Sequence, residues 1–291
     1  MQSPSSSVKS EIKVRQIKLD FTGVPKHWIG GNPFISHLFH ALSFVFPEGE
    51  RMFVRSVKHY QSFVRNPLLR NEVASFIGQE MYHGNTHEEL NGWLARQSPV
   101  ASRLQKHIGE SIKDGSIARQ RRVPRIALAE TVALEHLTAV LAASLLSRPE
   151  IVEKMHPQLR PIAVWHAIEE IEHKSVAFDV YQIAGGGYLM RAVAQIFAVC
   201  ALTVVAVGIT AALLFEDRKS LNWRHFYDFM SLLFGRDGLI AGVIPSFLAG
   251  LSPNFHPSQI VDGHLLHQWL PQLASMTSVK QPGKALTAAG L

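Results

Sequence analysis

Between positions 32 and 147, apolar residues recur every three or four places, the spacing of one buried helix face, and alternating strand-like runs are scarce. "NPFISHLFHALSFVF" opens with an Asn cap and a Pro at the first helical position. "NPLLRNEVASFIGQEMYHGNTHEELNGWLARQ" repeats that start and runs to Ser98-Pro99. Between the two, "PEGERMFVRSVKHYQSFVR" predicts a separate helix beginning at Pro47, with early glutamates that suit its N-terminal dipole. A shorter amphipathic piece over 101–113 is expected to end at Asp-Gly-Ser. The Ala-rich "PRIALAETVALEHLTAVLAASLLS" follows, then a helix from Pro157 or Pro161 to the glycines Gly185–Gly187. The fold class this predicts is all-α, with four helices long enough for a bundle.

Past the glycines the pattern changes. Residues 192–215, "AVAQIFAVCALTVVAVGITAALLF", are 24 positions without a charge. About 20 such residues cross a bilayer core, so a transmembrane helix is expected here; the alternative is a helix buried on all sides by protein. "GLIAGVIPSFLAGL" (238–251) is short for spanning and contains Pro245, which suits an interfacial or re-entrant piece. The predicted organisation is a flexible N-terminus (1–20), a helical bundle (21–187), hydrophobic membrane-associated helices (188–251) and a polar tail (252–291). That tail carries His256, Asp262, His264 and His267 and is expected on the surface.

Composition narrows the function classes. The formal charge is +6, and only "RQRRVPR" (119–125) is densely basic; it reads as a solvated loop before a helix, or else as a lipid-headgroup contact. No nucleic-acid-binding signature accompanies it, so a nucleic-acid partner is not expected. The single cysteine, Cys200, excludes an internal disulfide and a closed thiolate zinc site.

The chemistry concentrates in "WHAIEEIEHKSVAFDVY". On a helical wheel His166, Glu169, Glu170 and His173 share one face, whereas Glu172 falls outside it. Glu170 and His173 form Glu-x-x-His, which puts a carboxylate and an imidazole one turn apart. "FIGQEMYHGNTHEEL" supplies a second copy, Glu80 and His83, with His87 one turn further on. Di-metal carboxylate bundles join two such helices to a lone glutamate from each of two others. Glu50 is available on the first of these, and Glu130 or Glu135 on the second. A third Glu-x-x-His, at Glu153 and His156, lies in a polar junction and reads as accidental. Cations would offset the cost of burying so many carboxylates.

"FPEGERMF", "GQEMYHGNTHEELN", "ALEHLTA", "WHAIEEIEHKSVAFDVY" and "NFHPSQIVD" resemble a bacterial family named metal-dependent hydrolase, a ferritin-like group, over roughly 18–270. The resemblance implies a ferritin-like four-helix bundle with a di-metal site and ligands at Glu50, Glu80, His83, Glu135, Glu170 and His173. It prefers Glu135 to Glu130 and makes His87 and His166 additional ligands or their neighbours. From its place on the wheel, Glu169 reads as a neighbour of the ligands or a solvated group, with ligation the alternative. Two metal ions are expected, iron first, with manganese or zinc possible. The expected activity is O₂-dependent oxidation of an apolar or lipid-like substrate. The alternatives are metal-dependent hydrolysis, which the family name implies, and non-catalytic metal or O₂ sensing. The expected location is a bacterial inner membrane with the bundle in the cytoplasm, or else the cytoplasm as a soluble protein.

Overall fold

The computed structural model describes residues 12–276. Among them the fold is all-α: eleven helices, α1 (Pro33–Tyr60), α2 (Pro67–Ala95), α3 (Pro99–Arg122), α4 (Pro124–Leu146), α5 (Pro149–Glu153), α6 (Arg160–His173), α7 (Val176–Ile183), α8 (Tyr188–Glu216), α9 (Trp223–Phe234), α10 (Leu239–Gly250) and α11 (Gly263–Met276), with three short 3₁₀ turns. The Asn-Pro starts act as expected. Asn32 Oδ1 accepts from the Phe34 and Ile35 amides, and Asn66 Oδ1 from those of Leu68 and Leu69. Helices α1, α2, α4 and the α6–α7 pair surround the polar centre, while α3 and α8 pack on the outer side of α1 and α4.

Pro47 does not begin a new helix; α1 runs through it. A proline inside a helix leaves the carbonyl four residues earlier without its amide donor. Here that carbonyl is Ser43 O, and Asn91 Nδ2 on α2 donates to it at 2.8 Å. A tertiary contact thus repairs what local reading takes as a break. Close approach of α1 and α2 at this point requires Gly84, because a Cβ there would stand 3.3 Å from Glu50 Oε2 and 3.5 Å from Pro47 O. Helix α3 is also longer than expected, since Asp114-Gly115-Ser116 stays helical. Ser116 is buried there and accepts from Arg55 Nη2 at 2.6 Å.

By length and composition, three stretches among the described residues could cross a membrane: α4, α8 and the α9–α10 segment (Trp223–Gly250). Burial separates them. The apolar window of α4 is 67% buried inside the protein, against 28% for α8 and 22% for α9–α10. Helix α4 is therefore a core helix, and α8 is not the centrally buried helix of the alternative reading. Leu189, Phe197, Val204, Val207 and Phe215 on α8, with Trp223, Tyr227 and Phe234 on α9, form an exposed apolar surface.

The described residues toward both ends differ from expectation; of the expected flexible N-terminus, 1–11 lie outside the described residues. The part of the N-terminal lead-in that is described, 12–20, lies along the bundle, and Arg15 reaches into its interior. Toward the C-terminus, His264 and His267 are exposed as expected, but α11 packs its apolar face on α6; Trp269 is buried and its Nε1 donates to Leu146 O at 2.8 Å. Residues 277–291 lie outside the described residues. The other end of α8 is tied down as well. Asp217 Oδ2 accepts from His27 and His37 at 2.7 and 2.8 Å, and Lys26 Nζ donates to its Oδ1 at 2.8 Å.

Candidate metal centre

Four helices each bring a glutamate to one buried place: Glu50 from α1, Glu80 from α2, Glu135 from α4 and Glu170 from α6. Three histidines join them. Glu50, His83 and His166 offer ligand atoms within 4.8 Å of one another, as do Glu80, Glu170 and His173. Glu135 Oε2 lies 3.3 Å from His173 Nε2 and so borders the second group. Glu170 stands between the groups. Its Oε1 is 2.8 Å from His166 Nε2 and 3.7 Å from His83 Nδ1, whereas its Oε2 is 3.6 Å from His173 Nε2. Glu80 Oε1 also faces both, 3.5 Å from His83 Nδ1 and 3.2 Å from His173 Nε2.

Which atoms lack hydrogen-bond partners tells what the cluster is built to hold. Both oxygens of Glu50, Glu80 and Glu135 are buried without one, as are His83 Nδ1 and His173 Nε2. Buried polar atoms are nearly always satisfied, so this convergence of acceptor atoms calls for a cation. The outward nitrogens, by contrast, are all engaged. Glu169 Oε2 accepts from His83 Nε2 at 3.1 Å. Gln79 Oε1 accepts from His173 Nδ1 at 2.9 Å, since Gln79 Nε2 donates to Glu172 and to Lys13 O. Each ring thereby fixes a proton on its outer nitrogen and aims its inner nitrogen at the centre, the usual orientation of metal-ligating histidine.

His166 is fixed by a longer chain. Asn91 Nδ2 donates to a backbone carbonyl, so its Oδ1 accepts from Ser43 Oγ at 2.6 Å. Ser43 Oγ then accepts from His87 Nδ1 at 2.9 Å, and His87 Nε2 from His166 Nδ1 at 2.7 Å. His166 Nε2 is left pointing to the centre, 2.8 Å from Glu170 Oε1 and 3.7 Å from Glu50 Oε1. The structure thus brings His166 among the inward-facing atoms and sets His87 behind it. Both rings pack edge-on against Phe46.

Arg15 ties the outer layer together. Its Nη1 donates to Glu169 Oε1 at 3.2 Å and to Glu172 Oε2 at 2.8 Å, its Nη2 to Glu172 Oε1 at 2.7 Å, and its backbone amide to Glu169 Oε1 at 3.0 Å. One guanidinium therefore holds Glu169, the partner of His83, and Glu172, which accepts from Gln79, the partner of His173. Nothing in the local sequence signals this, because 12–20 has no helical period. Glu130, by contrast, stands apart from the cluster and accepts from Arg119 Nε at 2.7 Å. His136, Lys174, Asp179, His256 and Asp262 also serve elsewhere. His136 Nε2 pairs with Ser246 O, Lys174 with Asp262, and His256 with Asp179.

Electrostatics follow from this crowding. Burial pushes the Glu50 and Glu80 carboxyls well above the ordinary glutamate range, and neighbouring carboxylates push them further. Burial opposes a charged His173, but Glu135 and Glu170 outweigh it and hold the ring well above the usual histidine value. Burial, with His166 beside it, depresses His83. Raised folded-state values mean stability that is lost as pH rises. Above the ordinary histidine value of 6.5, His83 is neutral in folded and unfolded states alike, so His173, Glu50 and Glu80 set the trend. The metal-free protein is expected to lose thermal stability as pH rises above 6.5, while affinity for divalent metal increases because bound protons are the competitors. Calorimetry with and without metal checks both slopes; a metal-free melting temperature that climbs over that range refutes the assignment.

From Glu50 and Thr138 an apolar cavity of about 320 Å³ extends between α1, α3, α4 and α8. Thr138 Oγ1 shares its one proton between Glu170 Oε2 and Glu135 O, so the cavity floor touches the cluster directly. Its walls include Phe46, Leu134, Phe197, Ala201 and Leu202, and exposed Phe197 opens it toward the apolar surface of α8.

The family model described as predicted metal-dependent hydrolase matches residues 13–260. No curated protein and no solved structure matches the chain. With most of its length covered, the chain belongs to that family, whose description names a metal-dependent hydrolase.

Proposed function

We propose that this protein is a membrane-associated two-metal enzyme that hydrolyses a bond in a long-chain, lipid-like substrate. The observation that carries this reading is the apolar cavity ending on Glu50 and Thr138 beside the unpartnered carboxylates. Glu50, His83 and His166 would hold one ion and Glu80, Glu135 and His173 the other, with Glu170 between them. Four ionised glutamates carry a charge that two divalent cations balance. A metal pair so held lowers the pKa of bound water and polarises an ester, amide or phosphoryl oxygen. The chain's own groups do the rest. Arg15, Gln79 and Glu169 orient the histidines, His87 holds the Nδ1 proton of His166, and the cavity walls align the chain and exclude bulk water.

A second reading, O₂-dependent oxidation at two irons in a ferritin-like bundle, is favoured by a specific observation. The ligand set is four glutamates with three histidines, and the cavity offers a dry hydrocarbon-sized space with few polar groups to grip a scissile bond.

Metal analysis of the purified protein comes first, then incubation with long-chain esters and lipid extracts while released acid and O₂ uptake are both followed. Hydrolysis with zinc or manganese and no O₂ uptake is expected. O₂ consumption without released acid would replace the first reading with the second, and protein that never binds metal would end both. Ala201→Phe, which fills the cavity from α8, is expected to cut turnover of long-chain substrates at least tenfold while metal content stays unchanged. Unimpaired turnover in this variant would remove the cavity from the path.

A further inference from the structure

The cavity has two ends of different chemistry. One is the cluster floor at Glu50 and Thr138; at the other Arg119 and Glu130 line the wall, two helical turns away along α4. Glu130, Leu134 and Thr138 follow one face of α4 at four-residue steps, so the ends lie about 12 Å apart. Glu130 accepts only from Arg119 Nε. Among the described residues the two terminal nitrogens of Arg119 have no protein partner, and its side chain is 42% exposed. A guanidinium held by one edge presents the other as a ready fork, whose geometry matches a carboxylate or a phosphate. Arg121, Arg122 and Arg125 follow at the same α3–α4 junction and add positive charge around it.

We propose that the cavity takes a single-chain amphiphile with an anionic head, the head on the free edge of Arg119 and the chain along α4 toward Glu50. This rests on the cavity being the substrate site. The opposite orientation would leave the terminal nitrogens of Arg119 against hydrocarbon, without the partner that a desolvated charged group needs. The bond acted on would lie well down the chain, remote from the head. Phe197 and Leu202 on α8 supply the wall past which the chain would enter from the apolar surface.

The test is equilibrium binding to the full-length, metal-free protein in non-ionic detergent at neutral pH, with dodecanoate and dodecan-1-ol displacing a polarity-sensitive dye. Dodecanoate is expected to bind about tenfold tighter than the alcohol, the order of one charge-assisted hydrogen bond. Arg119→Gln should erase that preference and leave the alcohol unchanged. Glu130→Gln, which removes the competing anion, should strengthen dodecanoate binding. Equal affinities in the unaltered protein, or equal losses of both ligands in Arg119→Gln, overturn the proposal. Binding is read without turnover, so the outcomes separate. A protein that binds dodecanoate through Arg119 yet turns over nothing leaves this inference standing and removes the enzymatic reading. A metal-dependent enzyme indifferent to Arg119 does the reverse.

Discussion

Glu170→Ala is expected to lower metal content from about two ions per chain to one or none, the largest effect of any single substitution in the cluster. The reason is position. Its two carboxylate oxygens face different histidine groups, Oε1 toward His166 and His83 and Oε2 toward His173. Removing it withdraws a ligand atom from both groups and leaves Thr138 Oγ1 with only Glu135 O. Glu80→Ala should come next, since Glu80 Oε1 also faces both sides, and His173→Ala should empty mainly the second group. Elemental analysis after dialysis gives the stoichiometry, and circular dichroism shows that the helices persist. Glu153→Ala, in the accidental Glu-x-x-His, is the control and should keep both ions. Two ions retained in Glu170→Ala would disprove the ligand assignment.

Arg15→Met is expected to weaken metal affinity about 10-fold, the low end of the range for losing a direct outer partner of metal-ligating histidines. The low end applies because Arg15 acts on His83 and His173 through Glu169, Glu172 and Gln79. It should also destabilise the fold by about 3–5 kcal/mol, because Glu169 and Glu172 would stay buried with their cation gone. Arg15 has 11% of its side chain exposed and the two glutamates almost none, so solvent does little to screen the pair. Arg15→Lys restores the charge but cannot serve both carboxylates with a planar fork, and recovery should be partial. Competition against a chelator measures affinity, and thermal unfolding measures stability. No change in either would show Arg15 to be a surface contact.

The elements around the centre were readable from local signals to different degrees. The Asn-Pro starts at 32 and 66 and the apolar 192–215 run are encoded within a few residues, and the helices follow them. Pro47 was legible as a break and is not one, because its remedy, Asn91, lies 44 residues away. The pairing of Glu80 and His83 with Glu170 and His173 is written in one-turn spacings, so periodicity alone brings those four onto helix faces. Periodicity could not choose between Glu130 and Glu135. In the structure Glu135 borders His173, and Glu130 faces Arg119 at the far end of the cavity.

By itself, then, the sequence determined what a helical period can carry: the all-α class, the two Glu-x-x-His faces and an apolar stretch of membrane length. Only the tertiary structure decided which atoms meet. It turned His166 inward through a hydrogen-bond chain that ends at Asn91, and it brought Arg15 from outside every helix to support His83 and His173. It also made α4 a core helix while leaving α8 exposed, although both are long and apolar. The physical reason is common to all three. Hydrogen bonds and burial depend on distances in space between segments far apart in the chain, and no local pattern records them.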